Sequence, residues 1–84
     1  MQKSVKVSIT YCLECGYQQP AFELARTLID RFQLMLSSVE LVPWAGGSFD
    51  VRVDGDLVHS MYRDGGFPSD DAMADAVQTR IAGG

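Results

Sequence analysis

The chain sets Cys12-Leu13-Glu14-Cys15 between an alternating run and an amphipathic one, and this junction constrains the fold more than any other feature. Val5, Val7, Ile9 and Tyr11 alternate with Lys6, Ser8 and Thr10, the period of a half-buried strand. Beyond the cysteines, which occupy a turn over Cys12 to Tyr17, Ala21, Leu24, Ala25, Leu28, Ile29 and Phe32 keep the spacing of an apolar helix face, which predicts a helix ending near Gln33. Pro20 must lie in the first turn of that helix, where a missing N–H costs no hydrogen bond. The helix therefore starts between about Gly16 and Gln19, with Cys15 at or just outside its mouth.

The remainder reads as a short strand, a two-stranded hairpin and a second helix. Val39-Glu40-Leu41-Val42 is a short strand that Pro43 is expected to stop, and Trp44-Ala45-Gly46-Gly47-Ser48 an irregular loop. Phe49 to Val53 and Asp56 to Ser60 flank Asp54-Gly55, a strong hairpin signal. A two-residue loop predicts Val53 opposite Asp56, Arg52 opposite Leu57, Val51 opposite Val58 and Asp50 opposite His59. Tyr62 to Pro68 is a glycine-rich loop. Ser69 is a good N-cap, Asp70 and Asp71 suit the positive end of a helix, and Met73, Ala76, Val77, Arg80 and Ile81 form its inward stripe up to Gly83.

The crossover from the first strand to the second is long enough for a parallel, right-handed connection. The order is then βαβ followed by ββα: an α/β (α+β) chain with a four-stranded mixed sheet and two helices. This is the minimal thioredoxin-like arrangement, and residues 1–84 read as one such domain without internal repeats.

Charge excludes several classes of function. With seven basic and eleven acidic side chains, the chain has net charge −4 and a pI near 4.6. That argues against binding nucleic acid through its phosphates and against an anionic membrane surface. No stretch has the apolar length of a signal-peptide core or a membrane span, so a cytoplasmic location is expected. Thiols are kept reduced there, which favours a transient, working disulfide over a structural staple.

Thiol–disulfide exchange needs one thiolate to attack and a second thiol to resolve the mixed disulfide, and the Cys12–Cys15 spacing supplies both. Either cysteine can be assigned the attack: Cys12 by thioredoxin logic, or Cys15, which is favoured below. The N–H groups of the following helix favour a thiolate, while Glu14 between the cysteines disfavours one. Thiols of near-ordinary acidity are therefore expected. The alternatives are a pair of inert buried cysteines, or a metal site in which Cys12, Cys15 and His59 would still lack a fourth ligand. His59 is expected as a half-exposed strand residue facing Asp50. Tyr11, Tyr17, Trp44 and Phe67 are the candidate substrate-binding side chains around the pair, the bland reading of each being a packed aromatic.

The run Val7-Ser8-Ile9-Thr10-Tyr11-Cys12-Leu13-Glu14-Cys15-Gly16-Tyr17 resembles the N-terminal motif of the selenoprotein W-like (Rdx) family. Gly47 to Ser60 and Asp64-Gly65-Gly66-Phe67-Pro68 extend the resemblance over nearly the whole chain. It implies a thioredoxin-like fold and a role in thiol redox, with glutathione as co-substrate and no tightly bound cofactor. Animal members carry selenocysteine at the position of Cys15, which favours Cys15 as the attacking group. The chain departs from thioredoxins in having Gly46-Gly47-Ser48 where they place a cis-proline, so thioredoxin-style docking is not expected.

Three functions follow: a thiol–disulfide oxidoreductase acting on glutathione or a protein disulfide, a non-catalytic binding module or redox sensor using Trp44 and Phe67, or a structural domain. Trp44 and the glycine loops are also compatible with a homodimer.

Overall fold

Alternation along the first strand decides which side of the sheet is filled. In the computed structural model, which describes residues 4–83, β1 spans Val5–Cys12, and its Val5, Val7, Ile9 and Tyr11 are all buried. Helix α1 (Gln18–Phe32) lays Ala21, Leu24, Ala25, Leu28 and Phe32 on that face. Ile29, expected in the same stripe, is 48% exposed and lies on the outer flank of the helix. A 3₁₀ turn (Gln33–Met35) leads into β2 (Leu36–Trp44), which runs parallel to β1. A tight hairpin follows, β3 (Phe49–Val53) and β4 (Asp56–Ser60), then a single helical turn α2 (Met61–Asp64) and helix α3 (Asp70–Gly83). The sheet order is β2-β1-β3-β4, with β1 parallel to β2 and antiparallel to β3. Met73, Ala74, Val77 and Ile81 of α3 join α1 in one core over the sheet. Each aliphatic or Phe side chain fully buried there contributes about 1.5–3 kcal/mol.

Three further expectations about the strands and loops are corrected. Pro43 does not stop the second strand, which continues through it to Trp44. β2 is an edge strand, and Leu13 N–H donates to the Trp44 carbonyl (2.9 Å), so the backbone of Trp44 faces β1 and that of Pro43 faces outward. A proline is tolerated there because the hydrogen bond it lacks has no strand to receive it.

The hairpin carries a bulge. Val53 pairs with Asp56 and Arg52 with Leu57 as expected, but Val51 pairs with His59 and Asp50 with Ser60, leaving Val58 as the extra residue. The shift brings His59 beside Val51, where it is only 7% exposed, rather than half-exposed opposite Asp50. The turn itself is as expected, with Asp54 at φ 51° and Gly55 at φ 87°, the doubly left-handed geometry that Asp-Gly accepts. Asp54 also accepts from Lys6 N–H (2.9 Å) and Arg80 Nε (3.0 Å), fixing the hairpin tip to β1 and α3.

The third correction is α2, which replaces the first part of the expected loop. Ser60 caps it, its Oγ accepting from Arg63 N–H at 3.5 Å. Asp64 closes the turn from the other end, Oδ2 accepting from Ser60 N–H at 3.0 Å. Ser69 caps α3 as its sequence suggested, accepting from Ala72 N–H at 3.1 Å. No helix among the described residues is long and apolar enough to cross a membrane.

Candidate redox site

Cys12 is the last residue of β1, not the first of a turn, and this decides its environment. Its N–H donates to the Ser48 carbonyl (2.8 Å) and its carbonyl accepts from Tyr17 N–H (3.1 Å), so its backbone is held from both sides. Its side chain is fully buried. Cys15 lies in the following turn and is exposed. The two are joined in a disulfide, with Cα atoms 5.3 Å apart. Thioredoxin logic, which makes the first cysteine the accessible one, is inverted here: the buried sulfur belongs to Cys12.

Helix α1 begins at Gln18, and its N-cap residue Tyr17 makes no side-chain cap. Pro20 has no N–H and that of Ala21 donates to the Tyr17 carbonyl (3.2 Å), so Gln18 and Gln19 supply the free donors of the first turn. The carboxylate of Glu14 turns to the neighbouring loop, where Oε1 accepts from Gly46 N–H at 3.2 Å. Gly46 is in the left-handed region (φ 73°), and a Cβ there would meet Tyr62 Oη at 3.2 Å. Glycine thus serves both the backbone angle and the approach of Tyr62. This Glu14–Gly46–Tyr62 cluster escapes sequence reading, because its partners are far apart in the chain and no local pattern links them.

The candidate aromatics divide by position. Tyr11 is buried on the core face, its ring edge-on to Phe22 at 6.2 Å, and so supports the site from below. Trp44 is the register partner of Cys12 on β2 and is 67% exposed. Phe67 is half-exposed and touches Tyr17 (ring centroids 4.9 Å) and Phe49 (5.1 Å), both edge-on. The loop after α2 therefore reaches the cysteine turn through the Phe67–Tyr17 contact.

That loop is held by His59, whose Nε2 lies 2.9 Å from the Gly66 carbonyl oxygen. A carbonyl only accepts, so Nε2 carries a proton. Nδ1 faces Asp64 Oδ2 at 3.7 Å. His59 thus anchors Gly66, next to Phe67, and takes no place beside the sulfurs. The Asp50 Oδ1 is buried without a hydrogen-bond partner among the described residues. Groups of three or more His, Cys, Asp or Glu able to hold a metal ion are absent among the described residues.

Asp64 carries a pronounced shift. The hydrogen bond from Arg63, then that from Ser60 N–H, hold it well below the usual carboxylate range, at about 2. The same contact with Asp64 raises Arg63, to which the charge of Asp50 adds. A carboxylate depressed in the folded state contributes stability that is complete above its unfolded pKa of 3.8 and is lost as pH falls towards 2. Asp64→Asn is therefore expected to be less stable than wild type at pH 5 and to converge with it by pH 2. Urea midpoints measured across that range check this, and a gap that does not narrow refutes it.

Comparison with known proteins agrees with the architecture. Residues 6–79 match the model of the Rdx family. Selenoprotein W of Danio rerio is 34% identical over 79 residues, covering 93% of this chain and 92% of that protein. Migration and invasion enhancer 1 of Bos taurus is 28% identical over 76 residues, 88% of this chain, which spans only 63% of that relative's length. A crystal structure of a selenoprotein W-related protein from Vibrio cholerae shares the fold with a TM-score of 0.90 at 25% identity, covering 94% of this chain and 99% of that one. A crystal structure of a protein from Bordetella parapertussis gives 0.89 at 29% identity, covering 93% and 99%. The chain belongs to the Rdx family, with a thioredoxin-like fold and a Cys-x-x-Cys pair, Cys12 and Cys15, at the end of its first strand.

Proposed function

We propose that the protein is a thiol–disulfide exchange protein in which Cys15 attacks and Cys12 resolves, acting on glutathione disulfide or a protein disulfide. One observation carries the assignment: Cys15 is exposed, whereas Cys12 is fully buried beside it. An incoming disulfide therefore meets Cys15 before Cys12. The Cys15 thiolate attacks one sulfur of RS–SR, forming Cys15–S–SR and expelling RS⁻, which takes up a proton. Cys12, losing its proton to solvent, then attacks Cys15 Sγ, and the second RS⁻ leaves and is protonated. The dithiol is oxidised to the disulfide, and RS–SR is reduced to two thiols. Run in reverse, the same steps return the protein to its dithiol form at the expense of an external thiol.

Reduced Cys12→Ser and Cys15→Ser, treated with glutathione disulfide and with the neutral hydroxyethyl disulfide, separate the roles in intact-mass spectra. Cys12→Ser should accumulate a mixed disulfide, Cys15→Ser should form it only sparingly, and wild type should pass to the internal disulfide. Adducts confined to Cys15→Ser would reverse the roles. A wild type that forms neither adduct nor internal disulfide would refute exchange.

A further inference from the structure

Among the described residues, the disulfide sits in an apolar neighbourhood without an uncommitted cation, which says what kind of disulfide it meets. We propose that the substrate is a polypeptide cysteine flanked by apolar residues, in preference to glutathione. This rests on the exchange reading above. Four exposed apolar side chains border the cysteine turn: Leu13 (51% exposed), Trp44 (67%), Tyr62 (70%) and Phe67 (48%). Each is linked to it, directly or through one or two neighbours. Leu13 lies between the cysteines and is bonded to Trp44, Tyr62 stands against the Gly46 that holds Glu14, and Phe67 rests on Tyr17. Trp44 lies on the sheet face of Cys12 and Phe67 on the core side with Phe49, so they border the turn from both sides of the sheet. Large exposed apolar side chains around a reactive group mark a place where another chain is received.

The charges point the same way. Glutathione carries carboxylates and a net negative charge, and its recognition calls for cationic partners. Among the described residues every cation is placed elsewhere. Lys6 lies six residues before Cys12 on β1, roughly 20 Å along the strand. Arg52 pairs with Ser8 and Leu57, Arg26 and Arg31 lie beyond the second turn of α1 against Asp30 and Asp71, and Arg80 binds Asp54 and Asp56. Arg63 is nearer, but its guanidinium is committed to both oxygens of Asp64 and to the Leu57 carbonyl. The one charge within the cysteine turn is Glu14, which repels an anionic tripeptide and is indifferent to a neutral apolar segment. The chain's net charge of −4 adds to that repulsion.

The test uses the reduced full-length protein and three homodisulfides: glutathione disulfide, a short neutral peptide with Leu and Phe flanking its cysteine, and the same peptide with Ser there. Each rate is divided by that of dithiothreitol with the same disulfide, which removes intrinsic reactivity. The apolar peptide should exceed glutathione by about tenfold or more, and the Ser peptide should fall between them. Trp44→Ser should lower the apolar-to-Ser peptide ratio by about fivefold, and Leu13→Ser, an independent exposed position, should lower it in the same sense. Glu14→Gln, which keeps an acceptor for Gly46, should raise the glutathione-to-peptide ratio about threefold, and less so in high salt. Equal normalised rates for glutathione and the apolar peptide, or a peptide ratio that neither Trp44→Ser nor Leu13→Ser moves, would overturn the assignment while leaving exchange intact. Failure of all three disulfides to oxidise the wild type would remove the exchange reading, and this inference with it.

Discussion

Phe49→Ala should cost about 3–5 kcal/mol, the usual range for deleting a fully buried aromatic ring. At roughly 0.05–0.15 kcal/mol per residue, a domain of this size has on the order of 4–13 kcal/mol in total, so the loss is about a quarter of its stability or more. Phe49 is 1% exposed and lies at the start of β3 opposite Tyr11. It is also the floor on which Phe67 rests, and Phe67 touches Tyr17 next to the cysteine turn. One ring thus links the core to the surface of the redox site. Equilibrium urea unfolding should show a lower midpoint at unchanged slope. Phe67→Ala, at a half-exposed position, should cost clearly less, and Phe49→Leu, which keeps most of the volume, should cost under about 2 kcal/mol. A loss below about 1 kcal/mol for Phe49→Ala would mean that β3 is not anchored through this ring.

Local chemistry made much of the fold legible. The alternation in β1, the helical spacing of α1, the position allowed to Pro20 and the Asp54-Gly55 turn each have a cause confined to a few neighbouring residues, and together they fix the βαβ–ββα order. The departures from local pattern have tertiary causes. Pro43 ends a central strand but not an edge, and its edge position depends on where β2 docks. The bulge at Val58 has no local signature, yet it turns His59 from the surface into the interior and makes it the anchor of Gly66. The helical turn α2 was legible in principle, since Ser60 and Asp64 cap it reciprocally, but the glycines after it masked the signal. At the site, the spacing identified the pair, while its asymmetry came from β1 extending through Cys12 into a bond with Ser48.

That asymmetry bears on the poise of the pair, and the oxidised protein should be the more stable form, by about 2 kcal/mol. The disulfide closes a loop with a sequence separation of only 3, for which loop-closure entropy in the unfolded chain gives roughly that figure. Stabilisation of the thiolate is the effect that would reverse the order, as it does in strongly oxidising enzymes whose reduced form is favoured. Here the contributions nearly cancel. The free N–H groups of Gln18 and Gln19 offer about 0.3–1 kcal/mol, and Glu14 within the turn opposes by a similar amount. None of the described cations is available to tip the balance. Linkage then requires the folded protein to hold its disulfide about 40 mV more negative than the unfolded chain does. Urea unfolding of the oxidised protein and of the same protein under dithiothreitol tests this: the oxidised midpoint should be higher. A reduced form as stable as the oxidised one would show that the fold stabilises the Cys15 thiolate by a route other than the helix N-terminus, and that the protein acts as an oxidant.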